Sequence, residues 1–193
     1  LALWQSEAPV TMTRGPFTIT AATATPRPAQ QPHPPVWFGE AHPLILDATA
    51  RLAQGWNTVP VGVTEVKRRL AALQAACDRV GREINEIERS LEVQILVALD
   101  RQTVRERLRA MVSLAPPSEP LDSELQAFLT GQRDELPASL ADQWLVGAPD
   151  EVAQQIRAYL DLGITHFLLW FMDAPDEAGL RLFAEEVAPR FGP

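Results

Sequence analysis

Residues 35–58 read PVWFGEAHPLILDATARLAQGWNT, a helical pattern between two short apolar runs. The run 36–38 stops at Gly39, and residues 55–59 form the second run, so each predicts a short strand. Between them, apolar side chains recur at helical spacing over residues 43–54, at Leu44, Ile45, Ala48 and Leu52. A strand, a helix and a strand in this order predict two parallel strands joined by a crossover helix.

The same rhythm continues along the rest of the chain. Thr64 is a candidate N-cap for a helix that ends at Gly81, where glycine suits the C′ position. Residues 90–99 predict a strand buried on both faces, and residues 164–171 predict another strand. With two further helices over residues 149–163 and 177–187, the expected inward positions are Val66, Leu70, Leu73, Cys77 and Val80, then Val152, Ile156, Tyr159 and Leu160, then Leu180, Phe183 and Val187.

The segment before this rhythm is a lead-in. Residues 1–4 read like the last turn of a helix that began earlier, so we expect the chain to be part of a longer protein. β-branched residues flank Gly15-Pro16 over residues 10–20, which predicts a hairpin. The proline-rich stretch from Pro26 to Pro43 is expected to run extended, because proline fixes φ and disfavours helix before it.

An insertion interrupts the rhythm between residues 100 and 143. This stretch is polar, contains prolines and is too long for a simple loop. One helix is predicted over residues 104–112 and a second near Leu125. We treat the chain as a single partial domain, with a lead-in at 1–34, βα units at 35–99, the insertion at 100–143 and a last βα unit at 144–193.

Four strands alternating with four helices predict an α/β fold with a parallel sheet. Two architectures fit this pattern, an open doubly wound sheet and half of a (β/α)8 TIM barrel. A whole barrel takes about 250 residues, so 193 residues with an insertion suffice for half of one. The alternating pattern alone does not choose between the two. If the chain is half a barrel, it exposes two strand edges and an apolar interior, and the chain alone is then expected to aggregate, dimerise or be partly molten.

Composition narrows the class of function. The net charge is −8 and 46% of the residues are hydrophobic, a balance typical of a globular domain. The acidic charge disfavours binding to nucleic acid or anionic membranes. The single cysteine, Cys77, excludes an internal disulfide and any site built on several cysteines. No apolar run approaches the roughly 20 residues of a membrane span, and no secretory signal is read at the start, so a cytoplasmic location is expected.

Several strings, taken in order and spacing, resemble one superfamily. They are Pro26-Arg27-Pro28-Ala29-Gln30 with Pro34-Pro35-Val36-Trp37-Phe38-Gly39, then Ala50-Arg51-Leu52-Ala53-Gln54-Gly55-Trp56-Asn57, then Val146-Gly147-Ala148-Pro149-Asp150-Glu151-Val152 and Gly163-Ile164-Thr165-His166-Phe167. Together they are similar to the luciferase-like monooxygenase superfamily. The string Leu169-Trp170-Phe171-Met172-Asp173-Ala174-Pro175 resembles its branch that uses coenzyme F420, a deazaflavin.

This resemblance implies the C-terminal half of a (β/α)8 barrel, with strands five to eight present. It further implies an oxidoreductase that transfers hydride with coenzyme F420 and acts on a small-molecule substrate, with an FMN-dependent monooxygenase as the alternative. The general acid or base is then expected in the missing half, so no catalytic residue is assigned. The expected partner is that N-terminal half or a second copy in a homo-oligomer. A non-catalytic barrel subunit without cofactor remains a separate possibility.

The turn Gly39-Glu40-Ala41-His42 is the first candidate binding site. It follows a strand at the end of the barrel where active sites lie, and it precedes a helix start, whose N–H groups favour phosphate. In the superfamily, the corresponding Gly-Gly turn resembles a cradle for the cofactor phosphate. Glu40 stands here at the second glycine, so its carboxylate is expected to point to solvent unless the site is altered. The alternative is an ordinary turn in which Gly39 is left-handed.

Asn57 and Trp170, each near the end of a strand, are expected beside the cofactor ring or the substrate. For the tryptophans, Trp56 included, the alternative is packing in the core. The long anionic tail of F420 favours basic residues, for which Arg14 and Arg51 are the candidates.

The three histidines are candidates for metal binding only by residue type. His33, His42 and His166 lack the spacing of metal ligands, so no metal is expected. His42 is expected to contact the cofactor because it lies in the turn. His166 lies inside an apolar strand, where a hydrogen-bonded core histidine is expected.

Overall fold

The computed structural model of the chain describes residues 1–114 and 120–192, so residues 115–119 of the predicted insertion lie outside the described residues. The described residues form two compact units, Leu1–Val36 and a larger one that begins at Trp37. None of the described helices is long and apolar enough to cross a membrane.

The first unit is a short helix followed by a hairpin. α1 is Ala2–Gln5, β1 is Val10–Arg14 and β2 is Phe17–Ala22. The strands pair antiparallel around Gly15, whose φ of 57° suits glycine. The hydroxyls of Thr13 and Thr18 hydrogen-bond across the pair at 3.1 Å. The predicted hairpin is therefore confirmed.

The second unit alternates strands and helices. Its elements are β3 (Trp37–Gly39), α2 (Pro43–Leu52), β4 (Gly55–Thr58), α3 (Val63–Val80), β5 (Glu88–Val97), α4 (Arg101–Leu114), α5 (Ser123–Thr130), α6 (Ala138–Ala141), β6 (Trp144–Gly147), α7 (Pro149–Leu160), β7 (His166–Phe171) and α8 (Ala178–Leu182). A 3-10 turn, Ile84–Glu86, precedes β5; a π-helical turn, Phe183–Val187, and a 3-10 turn, Ala188–Phe191, follow α8. The four predicted strands are confirmed, and β6 is a strand that the sequence pattern missed.

All paired strands of the second unit are parallel, and β5 lies at the centre of the sheet. Ser90 of β5 pairs with both Asn57 of β4 and His166 of β7, so β4 and β7 lie on opposite edges of β5. β7 pairs along one edge of β5, as far as Ile95. β6 therefore pairs with Gln94–Val97 along the other edge, beyond the residues of β5 that pair with β4. With the short β6 set aside, the strands lie in the order β3-β4-β5-β7, which is also their order in the sequence. This order lacks the reversal that defines a doubly wound sheet.

The two faces of this sheet differ, because successive residues of a strand point to opposite faces. One face packs against α2, α3 and α7 around an apolar core, in which Cys77 is buried as predicted. We call it the helix-covered face; its strand residues include Trp56, Leu91, Val93, Ile95, Phe167 and Leu169. We call the other the open face; its strand residues include Trp37, Asn57, Ser90, Glu92, Gln94, His166, Leu168 and Trp170.

The insertion forms a second apolar cluster. α4, α5 and α6 pack around Leu96 and Ala98 at the end of β5. Arg105 of α4 is buried there and donates to the Phe128 carbonyl at 2.6 Å and to the Asp134 carboxylate at 2.9 Å. The two predicted helices of the insertion are therefore present, and they cover the carboxyl end of β5.

Two boundaries differ from the sequence prediction. α3 begins at Val63 with Gly62 as its N-cap, so Thr64 lies inside the helix instead of capping it. β5 ends at Val97, and Leu99 is 76% exposed because the chain has left the sheet before it. The expectation of a strand buried on both faces up to residue 99 is therefore wrong at its end.

The inward faces of α7 and α8 also differ in detail. Gly179 faces the core because the Asp173 carboxylate accepts its N–H at 3.1 Å, and a Cβ there would lie 2.4 Å from that oxygen. Leu180, the next residue, therefore points outward and is exposed. Leu160 likewise follows a buried residue, Tyr159, and is exposed.

Candidate functional site

The turn after β3 contains a left-handed residue, and that residue is Glu40. Its φ is 82°, whereas Gly39 has no positive φ, so the alternative in which Gly39 is the left-handed residue is wrong. The indole N–H of Trp56 donates to the Glu40 carbonyl at 2.8 Å and fixes the turn. A residue with a Cβ costs about 1–2 kcal/mol in this region. Glu40 is exposed, so its carboxylate is on the solvent side of the turn.

The start of α2 is already capped by His42. The ring nitrogen Nδ1 of His42 accepts the N–H of Leu44 at 3.3 Å. The His42 carbonyl accepts from Ile45 and Leu46 at 2.9 and 3.0 Å, and Pro43 has no N–H to offer. A phosphate that used this helix start would therefore have to displace the His42 ring from Leu44.

One row of residues crosses the sheet at the level of Asn57. Gly39, Asn57, Ser90 and His166 are neighbours in register on β3, β4, β5 and β7. The buried Ser90 hydroxyl donates to Oδ1 of Asn57 at 2.6 Å, which turns the Nδ2 end of that amide away from Ser90. The structure thus brings Gly39 and Asn57 side by side. The sequence analysis missed Ser90, whose only signal is a polar residue at the start of an apolar strand.

His166 lies on the open face, not in the core. Its ring nitrogen Nδ1 is 3.2 Å from Oε1 of Glu88, and its ring meets that of Trp37 edge-on with centroids 6.0 Å apart. The Trp37 ring passes over Gly55, where a Cβ would lie 2.1 Å from it. Trp37 belongs to β3 and His166 to β7, and β4 and β5 lie between these strands. The side chains of Trp37 and His166 therefore converge across the open face. Such convergence is typical of a concave sheet.

Trp170 stands on the open face nearer the carboxyl ends of the strands. It pairs in register with Gln94 and is 57% exposed, so the core-packing alternative is wrong for it. Trp56 is fully buried, so packing is confirmed there. Trp170 lies four residues beyond His166 on β7, about 13 Å along the strand. The structure therefore places Trp170 on the same face as Asn57 but at a different level.

Three ion pairs lie at the carboxyl edge, by which we mean the carboxyl ends of β3 to β7 and the residues directly after them. Each joins an arginine outside the strands to a carboxylate after β6 or β7. The pairs are Arg107 with Asp173, Arg101 with Glu151, and Arg190 with Asp150. The Asp173 side chain is only 4% exposed. Periodicity could not find these pairs, because their partners are far apart in sequence.

The two arginines expected for a cofactor tail are not among the residues by which the carboxyl edge is defined. Arg51 is in the last turn of α2 and pairs with Asp47 at 2.9 Å, at the opposite end of that helix from the carboxyl edge. Arg14 belongs to the first unit.

Other reactive groups do not add a second centre. Burial raises the pKa of the Cys77 thiol, which disfavours the thiolate that nucleophilic chemistry needs. Within residues 1–114 and 120–192, no group of three or more His, Cys, Asp or Glu side chains is arranged to hold a metal ion. The carboxyl edge and the open face are therefore the candidate site.

Fold and site together define an α/β protein whose candidate ligand site lies where parallel strands end. A profile of the family described as luciferase-like monooxygenase matches residues 1–166, and the chain belongs to this family. The F420-dependent glucose-6-phosphate dehydrogenase of Nakamurella multipartita is 29% identical over 195 residues, which cover 97% of this chain and 56% of that protein. The chain thus spans about half the length of the curated relatives it matches.

Solved structures agree on the fold. The coenzyme F420-dependent tetrahydromethanopterin reductase of Methanopyrus kandleri superposes with a TM-score of 0.74 at 19% identity, covering 98% of this chain and 60% of that one. An F420-dependent secondary alcohol dehydrogenase, solved with an F420–acetone adduct, gives a TM-score of 0.69 at 20% identity, with 96% and 57% covered. The resemblance to the F420-dependent luciferase-like branch is confirmed, and the parallel α/β fold with it.

Proposed function

We propose that this chain is part of an F420-dependent oxidoreductase that transfers hydride between the cofactor and a small organic molecule. Membership of the family and relatives named as F420-dependent dehydrogenases support this function. The observation that carries it is the turn from Gly39 to His42. It lies at the carboxyl edge and holds a left-handed residue where the resemblance places a glycine.

The residues present suit such a cofactor. In the proposal, backbone groups of Gly39, Glu40 and Ala41 hold its phosphate, and His42 contacts it after leaving Leu44. When bound, the cofactor supplies the hydride acceptor or donor. The Nδ2 end of Asn57, oriented by Ser90, donates a hydrogen bond to the ring or the substrate. No general acid or base is assigned among the described residues.

The finer architecture is also a proposal: the chain is the C-terminal half, strands five to eight, of a (β/α)8 barrel. The order β3-β4-β5-β7, the helices on one face and the convergence of Trp37 and His166 support it. Its partner is then the N-terminal half of the barrel, with a second copy of the chain as the alternative. A cytoplasmic location belongs to the same proposal, and the single cysteine fits a reducing compartment.

The test is a fluorescence titration of F420 into the protein at its full encoded length, followed by competition with FMN. We expect saturable binding that FMN does not reverse. Trp170→Ala should weaken it about fivefold, since stacking on one aromatic ring contributes about 1 kcal/mol. Trp4→Ala, in the first unit, is the matched control. Displacement by FMN would contradict the F420 assignment and favour an FMN-dependent monooxygenase.

A non-catalytic barrel subunit is a second candidate, and one observation favours it. His42 already caps α2, and Glu40 adds a carboxylate beside the place of the phosphate. If this candidate is right, neither F420 nor FMN binds, and Glu40→Gly creates affinity for one of them. Tight binding that is the same before and after Glu40→Gly would exclude it.

A further inference from the structure

The charges at the carboxyl edge bear on the substrate. We propose that the site takes an uncharged substrate with an apolar face and does not take a phosphorylated sugar. This inference rests on the proposed function and names the substrate class of the same site. It separates the chain from its relatives, whose names specify glucose 6-phosphate.

The arginines at this edge are already neutralised by carboxylates. Arg107 is bound by Asp173, whose side chain is buried, and it also donates to the Val97 carbonyl at 3.3 Å. Arg101 is bound by Glu151 at the start of α7. A phosphate is recognised by cations that it can neutralise. Neither of these guanidinium groups is left without a carboxylate.

Two arginines of α3 share a single carboxylate. Glu65 binds Arg68 at 2.6 Å and Arg69 at 2.8 Å, which leaves an excess positive charge in the first turns of α3. Arg69 donates to the Thr58 hydroxyl at 2.8 Å. Thr58 is in register with Leu91 of the helix-covered face. This positive charge therefore lies behind the sheet, not on the open face.

The open face offers apolar and neutral polar side chains instead of cations. Trp170 is 57% exposed and Leu168 41% exposed, so the face presents apolar surface near the carboxyl edge. Asn57 and Gln94 add neutral hydrogen-bonding groups between the apolar side chains. Glu92, also on this face, adds a negative charge. The described strand residues of this face include no arginine or lysine, so a phosphorylated sugar would lose its hydration here without a cation from these strands. An alcohol or ketone with an apolar face would instead bury that face against Trp170.

The experiment measures F420 reduction by the full-length protein with glucose 6-phosphate, glucose and cyclohexanol, after F420 binding has been recorded on the same sample. We expect kcat/KM for cyclohexanol to exceed that for glucose 6-phosphate by about tenfold or more, and inorganic phosphate to leave the rate unchanged. Calorimetry of the F420-loaded protein should show no saturable binding of glucose 6-phosphate. Saturable binding, or turnover inhibited by inorganic phosphate, would overturn this inference while the proposed function stands. A sample that binds no F420 would overturn both.

A charge variant tests the physical reason. Asp173→Asn keeps the shape of the side chain and leaves Arg107 unpaired, so calorimetry of the F420-loaded variant should show saturable binding of glucose 6-phosphate where the parent protein shows none. Glu151→Gln, which leaves Arg101 unpaired, is the second variant should the first fail to fold. Asp47→Asn is the matched control, because it releases the exposed Arg51 in the last turn of α2, at the end of that helix away from the carboxyl edge. The absence of saturable binding in both charge variants, or the same gain in the control, would contradict the role given to these ion pairs.

Discussion

The helix-covered and open faces are built from alternate residues of the same strands, yet they differ in polarity and in how much of each is covered. Leu91, Val93 and Ile95 of β5 point to the helices and are fully or almost fully buried. Ser90, Glu92 and Gln94 point the other way and are mostly polar. Leu168 and Trp170 of β7 share that second face and remain exposed. One face is therefore completed by this chain's own helices, whereas the other is covered by them only at Leu96, at the end of β5.

The most direct test of this difference replaces one leucine on each face by alanine. Leu91→Ala leaves a cavity in a packed core and should lower the free energy of unfolding by about 2–5 kcal/mol. Leu168→Ala removes an exposed side chain and should change it by less than about 0.5 kcal/mol at dilutions that keep the chain monomeric. Urea unfolding followed by circular dichroism measures both. Similar losses from both variants would mean that the open face is covered in solution.

The next effect is on association of the isolated chain. An exposed Trp170 beside Leu168 forms an apolar surface, and β3 and β7 end the sheet, so the chain alone should self-associate. Trp170→Ser should weaken this association about tenfold, since it removes roughly 1.5 kcal/mol of apolar contact. Light scattering over a dilution series measures it. Phe17→Ser, which removes an exposed aromatic from the first unit, is the control. A monomeric parent chain that melts cooperatively would contradict the prediction.

Much of the fold could be predicted from the sequence because the helix-covered face is encoded by local periodicity. The stripe from Val66 to Cys77 repeats with the period of a helix, and Leu91 to Val97 alternates with the period of a strand. β6 escaped because one of its partners is a side chain. The Gln155 carboxamide donates to the Val146 carbonyl and accepts the Val146 N–H, both at 2.9 Å, as a neighbouring strand would. No local pattern signals such a contact.

The candidate site was less predictable. The turn after β3 could be located from its place between a strand and a helix. The residue with the positive φ could not, because it depends on the Trp56 indole holding the Glu40 carbonyl. The exposure of His166 and Trp170 depends on what covers the open face, and periodicity does not report that. The pairing of Arg107 with Asp173 joins α4 to the end of β7 and appears only once the chain is folded.

Glu40 gives a third, smaller effect, confined to one residue between the two faces. Glu40→Gly removes the cost of a Cβ at φ 82° and should raise the free energy of unfolding by about 1 kcal/mol. Glu40→Ala keeps the Cβ and should not stabilise, so it is the matched control. Thermal unfolding of the three proteins distinguishes them. Stabilisation by alanine as well would show that the carboxylate, and not the backbone, is the source of the strain.

The smallest effect lies in the first turns of α3. Arg68 and Arg69 lower the pKa of Glu65 from 4.5 to about 2. A folded pKa below the unfolded value means that the ionised carboxylate stabilises the fold above pH 4.5, and that this contribution is lost as the pH falls towards about 2. The difference in urea midpoint between the parent chain and Glu65→Gln should therefore shrink over that pH range. The effect is small because solvent screens the pairs. A difference that is constant with pH would show that Glu65 acts through packing instead of charge.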